Sequence, residues 1–103
     1  MRYRVIFSPQ ARNQLENLFD YIAETSSPDV ALRYTTAIAD ECQSLSTFPY
    51  RGMARDNIRP GVRVISFKKR TVIAFCVDAE EVSIIGIFYG GQDYETALRN
   101  TFE

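Results

Sequence analysis

Apolar residues recur along this chain in three distinct rhythms. Between Tyr3 and Phe7 they alternate, with Tyr3, Val5 and Phe7 on one face and Arg4 and Ile6 on the other, which predicts a short strand. From Ala11 the period lengthens: Leu15, Leu18, Phe19, Ile22 and Ala23 follow at the spacing of one helical stripe. Ser8-Pro9 sits just ahead of that stripe, a capping hydroxyl followed by a residue suited to the first helical position, so a helix of about 16 residues begins there. Thr25-Ser26-Ser27-Pro28-Asp29 ends it and repeats the same start, with Ser27 as the cap and Asp29 favouring the helix N-terminus. Ala31, Tyr34, Ile38, Cys42 and Leu45 then form a second seam, ending near Thr47 because Phe48-Pro49 and Arg51-Gly52 do not continue a helix. Two long helices joined by so short a break pack as an antiparallel hairpin.

The third rhythm fills the stretch from Arg59 to Asp93. Residues 50–61 are irregular and basic and close on the turn dipeptide Pro60-Gly61. Val62–Phe67 reads as a strand with Arg63, Ile65 and Phe67 on one face, Lys68-Lys69-Arg70 as a tight turn, and Thr71–Val77 as the next strand. Asp78-Ala79-Glu80-Glu81 makes a second turn into Val82–Tyr89, the most apolar strand. Gly90-Gly91 stops it, and Asp93–Asn100 suits a short last helix. The order β-α-α-β-β-β with a short C-terminal helix predicts the α+β class: a small antiparallel sheet with a two-helix hairpin on one face and the other face partly open.

A chain of 103 residues suits one domain spanning 1–103. No apolar run approaches the roughly 20 residues that span a bilayer, and the N-terminus reaches Ser8-Pro9 too early for a signal-peptide core. Cys42 and Cys76 lie inside apolar patterns, as buried thiols of a cytoplasmic protein do. The net charge of −1 conceals a segregation. Arg51, Arg55, Arg59, Arg63, Lys68, Lys69 and Arg70 oppose Asp56 alone in residues 51–70, whereas Glu16, Asp20, Glu24, Asp29, Asp40 and Glu41 dominate residues 9–49. Such a dipolar surface steers an acidic partner onto one face or is simply solvated.

Histidine is absent, which removes the commonest general base near neutral pH and the commonest zinc ligand, along with every Ser-His or Cys-His triad. No phosphate-cradling glycine motif surrounds Gly90-Gly91, and no two carboxylates stand out as an acid–base pair. The remaining chemistry is cationic: Arg59, Arg63, Lys68, Lys69 and Arg70 around the sheet, with Tyr89 and Tyr94 near its far end. Cations interleaved with aromatics suit phosphate and base contacts, or else pair locally and face solvent. Neither a cofactor nor a metal is expected, and no catalytic residue is assigned.

The segments YRVIFSPQARNQLENLFDYI, FPYRGMARDNIRPGVRVISFKKRTVIAFCV and VSIIGIFYGGQD resemble the ParE toxins of the RelE/ParE superfamily over nearly the whole chain. The Ser-Pro-x-Ala helix start and the Arg-Pro-Gly-x-Arg entry to a strand carry the resemblance. It implies the toxin of a type II toxin–antitoxin, or plasmid stabilisation, system: a non-catalytic poison of DNA gyrase neutralised by a ParD-like antitoxin. The superfamily also holds RelE-like toxins that cut mRNA on the ribosome, the alternative reading. Those nucleases have an arginine after the last strand, another on the middle strand and a late tyrosine. Here Gln92, Thr71 and Leu98 stand at those places, with Tyr94 four residues early, which favours ParE.

The resemblance also frames the surfaces. An amphipathic antitoxin segment along the helical hairpin would meet Leu18, Phe19, Ile22, Tyr34 and Ile38, although core is the other reading of most of these. Acidic antitoxin side chains would meet Arg59, Arg63 or Arg70. Lys68, Lys69, Tyr89, Gln92 and Tyr94 are the candidates for contact with the target. No membrane contact and no sequence-specific DNA binding by this chain alone are expected.

Overall fold

The computed structural model describes residues 2–102, with side chains through residue 100. The chain runs β1 (Arg4–Phe7), α1 (Pro9–Thr25), α2 (Pro28–Ser44), β2 (Met53–Ala54), β3 (Val62–Phe67), β4 (Thr71–Val77), β5 (Glu81–Tyr89) and α3 (Tyr94–Phe102). Both serine caps form as the sequence requires: Ser8 Oγ accepts from Ala11 N at 3.0 Å, and Ser27 Oγ from Val30 N at 3.1 Å. Each cap satisfies a backbone donor that the first helical turn leaves unpaired, and a proline follows each of them. The second helix stops at Ser44, three residues short of the expected Thr47. Leu45 N and Ser46 N reach back only three residues, to Cys42 O and Gln43 O, so the chain tightens into turns there.

Five strands form one sheet in the order β1-β5-β4-β3-β2. β3, β4 and β5 make the expected antiparallel meander, with Phe67 opposite Thr71 and Val77 opposite Val82. Two features extend that expectation. β1 joins β5 in parallel, Arg4 opposite Glu81 through Phe7 opposite Ile84, so the sheet is mixed. Met53–Ala54, inside a segment that reads as irregular, pairs with β3 as a two-residue edge.

The helical hairpin covers one sheet face, where Leu18, Ile22, Ile38 and Leu45 pack against Ile65, Ile73, Phe75 and Ile84. The opposite face is less open than the sequence suggests. α3 lays Leu98, fully buried, against Val62, Val64, Ala74 and Phe88. A bulge marks β5, where the register steps from Phe75 opposite Ile84 to Ala74 opposite Gly86 and leaves Ile85 unopposed. Gly86 is required beside it, since a Cβ there would overlap the Phe88 ring. No helix among the described residues is long and apolar enough to cross a membrane.

Candidate interaction site at the end of the sheet

The hairpin joining β3 to β4 turns through two lysines in left-handed backbone conformations, φ 51° at Lys68 and 62° at Lys69. Arg70 N donates to Phe67 O at 3.2 Å across the turn. Three residues separate Phe67 from its partner Thr71, and the two positive φ values at the centre of the Phe67–Arg70 turn are of the kind that favours Asn-Gly over Lys-Lys. The lysines therefore hold a conformation that costs about 1 kcal/mol or more each, and they carry their charge into solvent at the tip. Gly90 N donates to Arg70 O at 2.8 Å and binds this turn to the end of β5.

From that turn a row of rings crosses the end of the sheet. Lys68 Nζ lies 5.5 Å from the Phe67 ring centre. Phe67 meets Tyr34 edge-on at 5.8 Å, Tyr34 meets Tyr89 edge-on at 5.8 Å, and Tyr89 meets Tyr21 at 6.1 Å. The Tyr34 hydroxyl shares a 2.7 Å hydrogen bond with Thr71 Oγ1, which fixes the middle of the row over a buried threonine. Tyr21, at the far end, is 54% exposed.

Beyond Tyr89 lies a cleft of about 390 Å³ between α1 and the end of β5, lined by Gln14, Asn17, Tyr21, Tyr89 and Gln92 among others. Here β1 has ended, so the outer edge of β5 needs other partners. Gln14 Oε1 accepts from Ile87 N at 2.7 Å, and Gln92 Oε1 accepts from Tyr89 N at 3.1 Å. Two side-chain amides thus stand in for a missing strand.

This end unites Lys68, Lys69, Tyr89 and Gln92, four of the five residues expected at the target face. Tyr94 is placed elsewhere: its ring packs on Phe88 with α3, on the opposite sheet face, with the Arg55 guanidinium 5.6 Å from its centre. Arg55 also pairs with Glu95, tying α3 to the loop before β3. Of the residues expected to meet an antitoxin, Leu18 (5% exposed), Ile22 (7%) and Ile38 (0%) are core, because both helical seams turn inward onto the sheet. Phe19 and Tyr34 are half-buried. Arg63 braces the loop before β2, its guanidinium donating to Arg51 O at 3.0 Å and Tyr50 O at 3.1 Å. Arg59 and Arg70 are exposed. The basic run of residues 51–70 therefore does not form one patch. Arg63 and the Lys68 turn lie at opposite ends of β3, roughly 17 Å apart at strand rise. Sequence reasoning missed Gln14, Asn17 and Tyr21, yet their 0, 3 and 7 offsets form a polar stripe beside the apolar one.

None of the residues lining the cleft carries a perturbed ionisable group. Burial, then Glu41, pushes the Cys42 thiol up to about 12; burial also raises Cys76, opposed by Arg59. Asp78 sits below the usual carboxyl value because Glu80 N and Glu81 N donate to it, and Asp93 because the Thr96 hydroxyl and N–H do. These are capping and turn contacts. No cluster of three or more metal-ligating side chains occurs among the described residues.

The model of the family described as "ParE toxin of type II toxin-antitoxin system, parDE" matches residues 5–94. Toxin ParE3 of Caulobacter vibrioides is 31% identical over 95 residues, covering 92% of this chain and 94% of that toxin. A solved chain of the chromosomal ParDE toxin–antitoxin system from P. aeruginosa has the same fold, with a TM-score of 0.75 at 21% identity over 86% of this chain and 97% of that one. On the match that spans both helices and the meander, the chain belongs to the ParE toxins of type II toxin–antitoxin systems.

Proposed function

We propose that this chain is a non-catalytic poison of DNA gyrase in the cytoplasm, acting as one toxin domain and silenced by a ParD-like antitoxin. Family membership over residues 5–94 supports this reading most strongly. The chemistry of the sheet end agrees with it. Lys68, Lys69, Tyr89 and Gln92 offer charge, ring faces and amide donors, all of which bind; none is an acid–base partner for another. The places that RelE-like nucleases fill with arginine hold Gln92, engaged with Tyr89 N, and Thr71, buried beneath Tyr34.

The antitoxin segment lies along the α1–α2 hairpin, where Phe19 and Tyr34 retain part of their surface, and its acidic residues reach Arg59 and Arg70. Induction of the chain alone in bacteria tests the assignment. Filamentation with an induced DNA-damage response, relieved by co-expressing the neighbouring antitoxin gene, is the expected outcome. Rapid arrest of translation without DNA damage would transfer the chain to the ribosome-dependent mRNA nucleases. Purified protein that leaves gyrase supercoiling unchanged at saturation would remove gyrase as the target.

A further inference from the structure

We infer that Tyr34 is a positioning residue for the target-facing end of the sheet. Through its hydrogen bond to Thr71 it sets where Tyr89 and Phe67 are held, and with Phe67 the charge of Lys68. The inference rests on the target-facing role proposed for this end and assigns part of that role to a residue of α2.

Strand register builds the seat for this side chain. At the end of the meander Phe67 of β3 stands opposite Thr71 of β4, and Thr71 stands opposite Tyr89 of β5. Residues directly opposite share a face, so ring, threonine and ring lie side by side beneath the helical hairpin. Thr71 is the smallest of the three and leaves a slot between its neighbours. Tyr34 fills that slot from α2: its ring meets Phe67 at 65° and Tyr89 at 80°, with centres 5.8 Å apart in both pairs. One side chain of the hairpin thus touches all three strands.

Ring contacts alone do not fix how deep Tyr34 sits. Apolar packing is non-directional, whereas the 2.7 Å hydrogen bond between Tyr34 Oη and Thr71 Oγ1 sets both distance and direction. Thr71 is almost fully buried, and a hydroxyl buried there without a partner is costly, so the pair is held to that geometry. The fold alone would be served nearly as well by phenylalanine over valine, which keep the shapes and bury no hydroxyl. What the hydroxyl pair adds is placement. That placement passes in two directions from the slot. Tyr89 meets the exposed Tyr21 at 6.1 Å and donates its N–H to Gln92 Oε1, while the Phe67 ring centre lies 5.5 Å from Lys68 Nζ. Lys68, Tyr89 and Gln92, three residues of the target face, are therefore anchored to the two rings that Tyr34 separates.

The test compares the full chain with Tyr34→Phe, Thr71→Val and the double variant. Three quantities are read: the urea midpoint, the ring NMR signals of Tyr21 and Tyr89, and the soluble protein needed to arrest growth on induction. Each single substitution strands one hydroxyl and is expected to lower the midpoint, and the double variant, which strands neither, to recover most of it. With stability restored, the double variant is still expected to shift the ring signals of Tyr89 and of Tyr21, which Tyr89 separates from Tyr34. It is also expected to need about tenfold more protein for the same arrest. A double variant with the parent's ring signals, or with the parent's potency, would overturn the inference and leave the bond a matter of stability alone. So would one less stable than either single variant, because the two hydroxyls would then not be each other's partners. A parent chain that arrests no growth removes the toxin reading only, and the ring signals still decide whether Tyr34 holds the row.

Discussion

Lys68 and Lys69 show how a residue can oppose its own backbone. Both occupy left-handed conformations that Asn and Gly adopt more readily. Lys68→Asn with Lys69→Gly should therefore raise stability by about 1 kcal/mol, seen as a higher urea midpoint with an unchanged slope. Toxicity should fall at the same time if the turn's charge engages the target. Gain of stability with full toxicity would leave the lysines without a functional reason. Gly52 is the contrary case, a small residue with no room to grow. Its φ is 78°, and a Cβ would overlap Val64 O and Ile65 Cγ2. Gly52→Ala should destabilise the fold by about 3 kcal/mol, readable in the same urea titration. In sequence Gly52 read only as a helix stop; its close approach to β3 depends on a strand pairing of two residues, too short to produce a periodic signal.

At the scale of elements, the two serine-capped helices and the three-strand meander were legible because each carries its own period and its own stop. The parallel seat of β1 was not, since alternation in four residues reveals faces but no neighbour. The end of β1 leaves part of the β5 edge to Gln14. Gln14→Leu removes the acceptor for Ile87 N and should cost about 1–3 kcal/mol, with faster hydrogen exchange at Ile87 than at its neighbours. α3 was expected as a short helix, but its role as a cover was hidden, because Ala97 and Leu98 make too brief an apolar signal to indicate a face. Leu98→Ala should destabilise by about 2–5 kcal/mol and raise exchange throughout α3. Asp93, hydrogen-bonded to Thr96 at the start of α3, has a folded-state value below its ordinary 3.8. A depressed carboxyl stabilises above the unfolded value, and that contribution is lost as pH falls through the folded one. α3 amides should accordingly lose protection below about pH 4, and Asp93→Asn should abolish that dependence.

Across the whole molecule, charge that is contiguous in sequence becomes dispersed in space. The basic run of residues 51–70 reads as a single patch only while the chain is viewed as a line. Folding places Arg51 against Glu41, Arg55 against Glu95 and Arg63 against backbone carbonyls, and leaves the Lys68 turn at the far end of β3. Long-range steering of an acidic antitoxin should then come from fewer charges than the sequence count suggests. The association rate should fall as salt rises from about 50 to 200 mM, and Arg59→Ala with Arg70→Ala should flatten that dependence without unfolding the chain. A rate insensitive to salt would place the recognition in apolar contacts along the helices instead. The candidate site was half legible: its cations, Tyr89 and Gln92 stood out in the sequence, while Gln14, Asn17 and Tyr21 needed the fold to bring α1 beside β5.

The pairing of β1 with β5 joins residues 77 positions apart, and the Arg4–Glu81 ion pair sits at that junction. During synthesis the first strand must wait for nearly the last, while α1 and α2 have long since emerged. At about 5–20 residues per second, the interval is several seconds in which the nascent chain has its helices but no closed sheet, and no cleft beside β5. A toxin domain built this way has no closed sheet until its fifth strand has been made. An antitoxin already present in the cell therefore meets it at the moment of its maturation.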